Sequence, residues 1–133
     1  MNCLRLIVLT TILMAGCTPK DPGAKPFIDQ RIVVKPSDMW HREIRAPRKG
    51  TIRFRVEANQ RFSLYVVTNH GHEVLQGPNH KDIKQEDLLF KQDSNGPMME
   101  DRVTLPPGPS WFLIESSSNR EMEFHFQCYR PGD

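Results

Sequence analysis

The chain has 133 residues, of which 38% are hydrophobic and 26% are charged, so it is neither a polytopic membrane protein nor a fully disordered chain. The 18 basic and 16 acidic side chains nearly balance, and the formal net charge of +2 gives no signature of nucleic-acid binding. Three cysteines are too few for a disulfide-stabilised scaffold. A chain of this length is expected to form one folded domain.

Residues 1–16 have the organisation of an export signal. One basic residue, Arg5, precedes an apolar run over residues 6–14, and the small residues Ala15 and Gly16 follow it. This order is typical of a secretory signal peptide. The apolar run is too short to span a bilayer, for which about 20 residues are needed.

The end of this segment resembles the lipobox of bacterial lipoproteins, with the residues Leu13-Met14-Ala15-Gly16-Cys17. In that family a diacylglycerol is attached to the cysteine thiol, and a dedicated peptidase then cuts immediately before the cysteine. The family prefers leucine three positions before the cysteine, where this chain has Met14. The resemblance implies that Cys17 is acylated, and two or three acyl chains on one residue are enough for stable anchoring. The alternative is ordinary cleavage with release of the exported chain.

A Pro-rich segment over residues 17–26 follows, and it contains Pro19, Pro22 and Pro26 but no large apolar side chain. Such segments are extended, at about 3.1 Å per residue, so this tether is expected to hold a domain roughly 25–30 Å from the membrane at most. Thr18 stands where enterobacterial lipoproteins retained in the inner membrane have Asp. We therefore expect an exported protein anchored to a bacterial membrane, with the outer membrane favoured where the source has one.

Residues 27–133 are predicted to form one all-β domain, because the dominant hydrophobic period is two. Over residues 51–57, Ile52, Phe54 and Val56 share one face and charged residues share the other. Further strands are predicted over residues 32–35, 39–45, 62–68, 73–76, 103–105, 111–115 and 121–129. Seven or eight short strands with regular turn signals predict a single antiparallel β-sandwich, jelly-roll-like in form.

The connections between these strands are expected to be short or irregular. Residues 69–72 are predicted to be a hairpin connection. Residues 80–90 are expected to contain at most one helical turn, with Ile83 and Leu88 touching the core, and residues 92–101 are predicted to be a loop. No segment has a helical period over ten residues.

The order of segments also resembles that of secreted bacterial β-sandwiches. Strand-like residues 51–56 and 62–67 are followed by a Pro-Gly turn at 105–108 and a strand at 111–115. This arrangement, over residues 39–129, is similar to that of bacterial pre-peptidase C-terminal domains and GOLD-type sandwiches. Those families are mostly non-catalytic accessory or binding modules, which is what the resemblance implies here. The calcium-binding carboxylates of some members have no clear counterpart in this chain.

Three histidines within eleven residues, His70, His72 and His80, are the candidates for metal binding. Imidazole suits copper and zinc, but a third ligand at fixed spacing is missing. Solvated loop histidines are therefore the favoured interpretation, and no metal or other cofactor is predicted. Cys128 and His125 are three residues apart in one strand and so face opposite sides, which argues against a copper site.

Hydrolytic machinery is not predicted. The chain contains no G-x-S-x-G, H-E-x-x-H or P-loop motif. The neighbouring carboxylates Glu86-Asp87 and Glu100-Asp101 are of a kind that is usually solvated, since catalysis needs a partner and a shifted pKa. A small envelope hydrolase, or an accessory domain of one, is the first alternative to a binding module. A metal carrier that uses the three histidines is the second.

Charge is distributed unevenly along the chain. Residues 42–61 contain seven basic and two acidic side chains, whereas residues 82–101 contain six acidic and two basic ones. The candidate surface for an anionic partner consists of Arg45, Arg48, Lys49, Arg53 and Arg55. The favoured interpretation is that the two regions are cross-strand neighbours that neutralise each other.

These patterns predict a non-enzymatic, lipid-anchored lipoprotein of the bacterial envelope, whose β-sandwich binds or scaffolds another component. Its expected contacts are the membrane, through Cys17, and an anionic envelope component or another envelope protein. Nucleic acid is not an expected partner. Cys128 is expected to be a buried small hydrophobic residue beside Met122, Phe124 and Phe126.

Overall fold

Residues 25–77 and 83–130 are described by the computed structural model, and eight strands run through them. The strands are β1 (Ile28–Val34), β2 (Met39–Ala46), β3 (Gly50–Ala58), β4 (Phe62–Thr68), β5 (Leu88–Asp93), β6 (Met98–Leu105), β7 (Gly108–Ser116) and β8 (Met122–Tyr129). One helix, α1 (Asn69–Gln76), and one 3-10 turn, Gln85–Asp87, lie between β4 and β5. The predicted export signal, Cys17 and His80 lie outside the described residues. No helix in the described part is long and apolar enough to cross a membrane.

The strands form two four-stranded antiparallel sheets that pack as a sandwich. Sheet A has the order β1-β8-β3-β6, and sheet B has the order β2-β7-β4-β5. Every connection except that from β4 to β5 crosses from one sheet to the other, which is the jelly-roll arrangement. The prediction of an all-β, jelly-roll-like sandwich is therefore confirmed.

The core forms where alternate residues of the two sheets meet. Along β3, Ile52, Phe54 and Val56 are buried, as their spacing predicts. The alternate residues Arg53 and Arg55 lie on the outer face of sheet A. This strand is paired on both sides, with β6 and β8, so its inward side chains are at the centre of the core.

Aromatic rings carry much of the contact between the sheets. The ring centroids of Phe54 in sheet A and Phe112 in sheet B are 5.5 Å apart, and those of Phe112 and Phe126 are 5.2 Å apart. At the edge of sheet B, Trp40 packs edge-on against Phe126, with centroids 5.0 Å apart. Each such pair adds roughly 0.5–1.5 kcal/mol beyond the burial of its area, so the row of rings ties the two sheets together.

Helix α1 replaces two features that the sequence pattern predicts. The hairpin connection expected over residues 69–72 and the strand expected over residues 73–76 are both helical. The helix begins where it does because the hydroxyl of Thr68, the last residue of β4, accepts a hydrogen bond from the Gly71 N–H at 3.0 Å. Both predictions are wrong because the helix is too short to show its period in the sequence.

Strand β6 occupies the end of a predicted loop. The loop expected over residues 92–101 is wrong, since β5 enters it from one side and β6 from the other. Met99 pairs with Val56 and is buried, which extends the ladder of sheet A. The strand is hard to recognise in the sequence, because the charged residue Asp101 stands at an inward position between Met99 and Val103, where the pattern requires an apolar residue.

Each of the four edge strands has one polar residue at an inward position. The residues two positions before or after it on the same strand face the interior of the sandwich. These residues are Gln30 on β1, Arg42 on β2, Gln92 on β5 and Asp101 on β6. The side-chain oxygen of Gln30 and the Nε atom of Arg42 are buried, and neither makes a hydrogen bond within the described residues.

Candidate functional site

Helix α1 lies on the outer face of sheet B, against β4 and β7. The close approach depends on Gly71. A Cβ atom at this position would lie 3.0 Å from the Cβ of Asp87 and 3.2 Å from the Cβ of Val67. Glycine therefore allows the helix to fit between the sheet and the 3-10 turn without displacing either of them.

A cleft of about 230 Å³ opens between α1, the residues that lead into β5, and sheet B. Its apolar lining comes from all three parts and consists of Met39, Val67, Leu75, Ile83, Leu88 and Leu113. Val67 and Leu113 are fully buried and form the floor. The expectation that Ile83 and Leu88 touch the core is wrong, because both side chains lie on the other side of sheet B and line this cleft.

Three polar residues stand at one end of the cleft, where neighbouring strands bring them together. Tyr65 on β4 lies opposite Lys91 on β5, and Glu115 on β7 is two residues along from Leu113, the partner of Tyr65 on that strand. The Tyr65 hydroxyl donates a hydrogen bond to Glu115 Oε1 at 3.0 Å. The Lys91 ammonium is 5.7 Å from the centroid of the Tyr65 ring. An apolar cleft with a few convergent polar groups is the usual form of a small-molecule site.

Two carboxylates, Glu115 and Asp93, and one ammonium, Lys91, stand at or near this end. Asp93 on β5 lies opposite Ser63, which lies opposite Glu115, and the Ser63 hydroxyl donates to Asp93 Oδ1 at 2.6 Å. Burial is the main cause that raises the pKa of Tyr65, and the charges of Glu115 and Asp93 raise it further. The carboxylates of Glu115 and Asp93 therefore both disfavour the ionised form of the phenol.

A larger depression of about 530 Å³ lies on the outer face of sheet A, but it is more open and more polar. Two of the charged residues that line it are already engaged within the sheet. Glu57 forms an ion pair with Arg55, and the His125 ring contacts the carboxylate of Asp29 through Nε2. We therefore take the sheet B cleft as the candidate binding site.

Beside the cleft, a cluster of aromatic and polar side chains holds α1 to the sheet. His41 Nδ1 on β2 lies 2.9 Å from His72 Nε2 on α1, within hydrogen-bonding distance. The His72 ring stacks on Trp111, with centroids 3.7 Å apart and planes within 4°. The Trp111 indole N–H donates to Asn69 Oδ1 at 3.0 Å, and Gln76 Nε2 lies 3.3 Å from His41 Nδ1.

The predicted metal-binding histidines take separate partners. His72 contacts His41, whereas His70 Nδ1 donates to Asp87 Oδ2 at 2.9 Å, and His80 is outside the described residues. Within residues 25–77 and 83–130, no three His, Cys, Asp or Glu side chains converge so that they could hold a metal ion. Sequence reasoning missed His41, and no linear signal could have indicated it, because it is 31 residues from its partner.

Asp87 serves as a structural anchor in the described structure. The prediction treats Glu86-Asp87 as a solvated pair, but Asp87 is only 8% exposed. Its carboxylate accepts hydrogen bonds from His70 and from the Thr68 hydroxyl, the latter at 2.7 Å. These two bonds, with that from His70 the larger cause, lower the pKa of Asp87. The charged carboxylate therefore ties the 3-10 turn to the start of α1.

The second predicted carboxylate pair is divided between two roles. Glu100 lies on the outer face of sheet A and forms an ion pair with Arg53 at 3.0 Å. Asp101 is at an inward edge position, and its Oδ1 accepts the backbone N–H of Arg102 at 2.7 Å. The two carboxylates face opposite ways and do not form an acid–base pair with each other.

The five basic residues proposed for an anionic partner do not form one surface. Arg53 and Arg55 are on the outer face of sheet A, Arg45 is on the outer face of sheet B, and Arg48 and Lys49 are exposed between β2 and β3.

The three of these five residues that lie on strands each pair with a glutamate. Arg53 pairs with Glu100, and its guanidinium lies 4.1 Å from the centroid of the Tyr129 ring. Arg55 pairs with Glu57, and Arg45 pairs with Glu43 at 2.9 Å. The contact between Arg53 and Glu100 joins the basic and acidic regions of the sequence, and it favours the interpretation that they neutralise each other.

Cys128 is buried and has no disulfide partner, as the alternation along β8 predicts. Burial raises the pKa of its thiol, so the reactive thiolate is disfavoured. His125, three residues earlier, faces outward and pairs with Asp29. The two side chains therefore lie on opposite sides of sheet A.

Comparison with protein-family models and with curated proteins finds no match to this chain.

Proposed function

We propose that the protein is an exported bacterial lipoprotein, anchored to an envelope membrane by acylated Cys17, and that its jelly roll is a non-enzymatic binding module. The outer membrane is the favoured location where the source has one. The cleft between α1 and sheet B is its binding site. Another envelope component, either a protein or an anionic molecule, remains the proposed partner in addition to the membrane itself.

The observation that carries the binding function is the construction of the cleft. Its floor, Val67 and Leu113, belongs to the two central strands of sheet B, and the polar residues Tyr65 and Glu115 stand on the same two strands. A site built on paired strands is held rigidly, which a specific binding module requires. Among the described residues singled out for catalysis or metal binding, Asp87, Glu100, His70 and His72 make contacts within the fold.

The lipobox-like sequence at Leu13–Cys17 and the Pro-rich segment after it support the anchored form. Strand β1 begins at Ile28, directly after this segment, so the folded domain follows the proposed tether without a further linker. A short extended tether would keep the domain close to the membrane surface.

Metabolic labelling with palmitate in a bacterial host tests the anchor. We expect the full chain to incorporate label and to fractionate with membranes, and Cys17→Ser to do neither. Cys3→Ser, which removes another cysteine of the predicted export segment, is the matched control and should be labelled normally. Labelled Cys17→Ser protein would contradict the proposal.

A metal carrier is the second candidate, and one observation favours it. His41 Nδ1 and His72 Nε2 lie 2.9 Å apart, somewhat closer than the roughly 3.3 Å that separates two nitrogen ligands of a tetrahedral zinc ion. Zinc titration of the full chain tests it. A carrier would bind zinc stoichiometrically and lose the metal in His41→Gln, while the binding module proposed above would keep no zinc after dialysis.

A further inference from the structure

We propose that the sheet B cleft binds a small primary amine with a compact apolar tail of about six to eight carbon atoms. This inference rests on the proposed binding function and adds the chemical class of the ligand. It follows from the size of the cleft, from the separation of its apolar and polar parts, and from the sign of the charge at the polar end.

The volume of the cleft limits the ligand. A dry apolar cavity of ~150 Å³ is large enough for benzene, and this cleft measures about 230 Å³. One ring or a short alkyl chain therefore fits together with one head group. A long acyl chain or a folded peptide segment is too large.

The lining orients the ligand. The tail would pack on the buried floor of Val67 and Leu113, with Leu75 and Leu88 at the walls. The polar groups stand together at the end formed by Tyr65, Lys91 and Glu115. A ligand must therefore be amphipathic, with its single polar group at one end.

The charge of the polar end selects a cation. Glu115 is half-buried and accepts the Tyr65 hydroxyl, and within the residues described it forms no ion pair. A half-buried carboxylate without a counter-ion favours a cationic ligand, and an ammonium group has three N–H donors for it. Asp93 adds a second negative charge nearby, against the single positive charge of Lys91.

The test compares hexylamine, hexanol and hexanoate, which share one tail and differ in the head group. Calorimetric titration uses the full chain in nanodiscs of neutral lipid, with empty nanodiscs as the blank for partitioning. We expect hexylamine to bind about tenfold more tightly than hexanoate, with hexanol between them, because Glu115 attracts the first and repels the second.

Two variants assign the preference to this cleft. Glu115→Gln keeps the shape and an acceptor for Tyr65, and it should weaken hexylamine about threefold to fivefold while leaving hexanol unchanged. Leu75→Phe should weaken all three ligands, because the larger ring fills the cleft. Glu121→Gln removes an exposed carboxylate that does not line the cleft, and it should change nothing.

The outcomes separate this inference from the function on which it rests. Tighter binding of hexanoate, or equal binding of hexylamine by the wild type and Glu115→Gln, would overturn the amine but leave the cleft as a binding site. Failure of all three ligands to bind would overturn both the amine and the proposed site. Palmitate labelling of Cys17 would still decide the anchored lipoprotein independently.

Discussion

His41 on β2 and His72 on α1 are neighbours across the outer face of sheet B, with Nδ1 of the first 2.9 Å from Nε2 of the second. A hydrogen bond between two imidazoles needs one donor and one acceptor, so the pair can form it only while at least one ring is neutral. Burial lowers the pKa of both histidines, and the charge of His41 lowers the pKa of His72 further. The negative charges of Glu73 and Glu43 raise the pKa of His72, but by less than burial and His41 lower it.

We predict that the domain loses stability as the pH falls below about 6.5, the ordinary pKa of histidine. Because the folded-state pKa values of His41 and His72 are lowered, the unfolded chain binds more protons in this range. Their contribution is fully present above pH 6.5 and is lost as the pH falls through the folded-state values. Urea unfolding between pH 5 and 7.5 measures the effect.

Two variants separate this pair from the other titrating groups. His72→Gln should flatten the dependence on pH, since the glutamine cannot take up a proton. His41→Gln should flatten it in the same way, since it removes the other ring of the pair. An unchanged pH profile in His72→Gln would show that the histidine pair is not the cause.

Gly71→Ala should destabilise the protein by about 1–3 kcal/mol, the usual cost of overpacking. The added Cβ would lie 3.0 Å from the Cβ of Asp87, so either α1 or the 3-10 turn must move. Gly96→Ala is the matched control, because nothing lies within 4 Å of a Cβ at that position. Chemical unfolding of both variants checks the difference, and equal stabilities would mean that α1 does not need its close approach.

Phe54→Ala should cost about 3–5 kcal/mol, because the ring is fully buried and contacts the rings of Phe90 and Phe112. A small domain has only about 5–15 kcal/mol of stability, so this loss takes much of it. Val33→Ala, at a position that is 56% exposed, should change the free energy of unfolding little. A small effect of Phe54→Ala on the urea midpoint would contradict the central place of β3 in the core.

Arg53→Glu combined with Arg55→Glu should leave retention on anionic liposomes unchanged at low salt. Both arginines are already paired with carboxylates of sheet A, so neither is available as an unpaired charge. The double variant Arg48→Glu with Lys49→Glu removes the two exposed charges between β2 and β3, and it serves as the comparison. Co-sedimentation measures retention. A loss in the Arg53 and Arg55 variant alone would show that the face of sheet A is a binding surface.

The sandwich could be predicted from the sequence because burial alternates along its strands with the period that side chains follow in a sheet. Helix α1 could not, since eight residues that include Gly71 have little helical preference of their own. It is stabilised by the Thr68 cap and by packing of His72 on Trp111. Both depend on where β4 ends and where β7 lies.

The candidate site could not be predicted from the sequence for a related reason. Tyr65, Lys91 and Glu115 come from three strands, and only the register of sheet B brings them to one end of the cleft. Each residue taken alone is an ordinary polar position on the outer face of a strand. The same holds for His41, whose partner is set by the position of α1.

The inward polar residues of the edge strands affect whether copies of the protein associate through their sheet edges at high local concentration. A lipid anchor confines its protein to two dimensions, where sheet edges of neighbouring copies meet often. A strand that docked on the edge of β2 or β6 would enclose the charge of Arg42 or Asp101 between the two sheets. The inward charges of Arg42 and Asp101 therefore disfavour edge-to-edge association of neighbouring sandwiches. Arg42→Leu or Asp101→Val would make the core more apolar and would permit neighbouring copies to associate edge to edge.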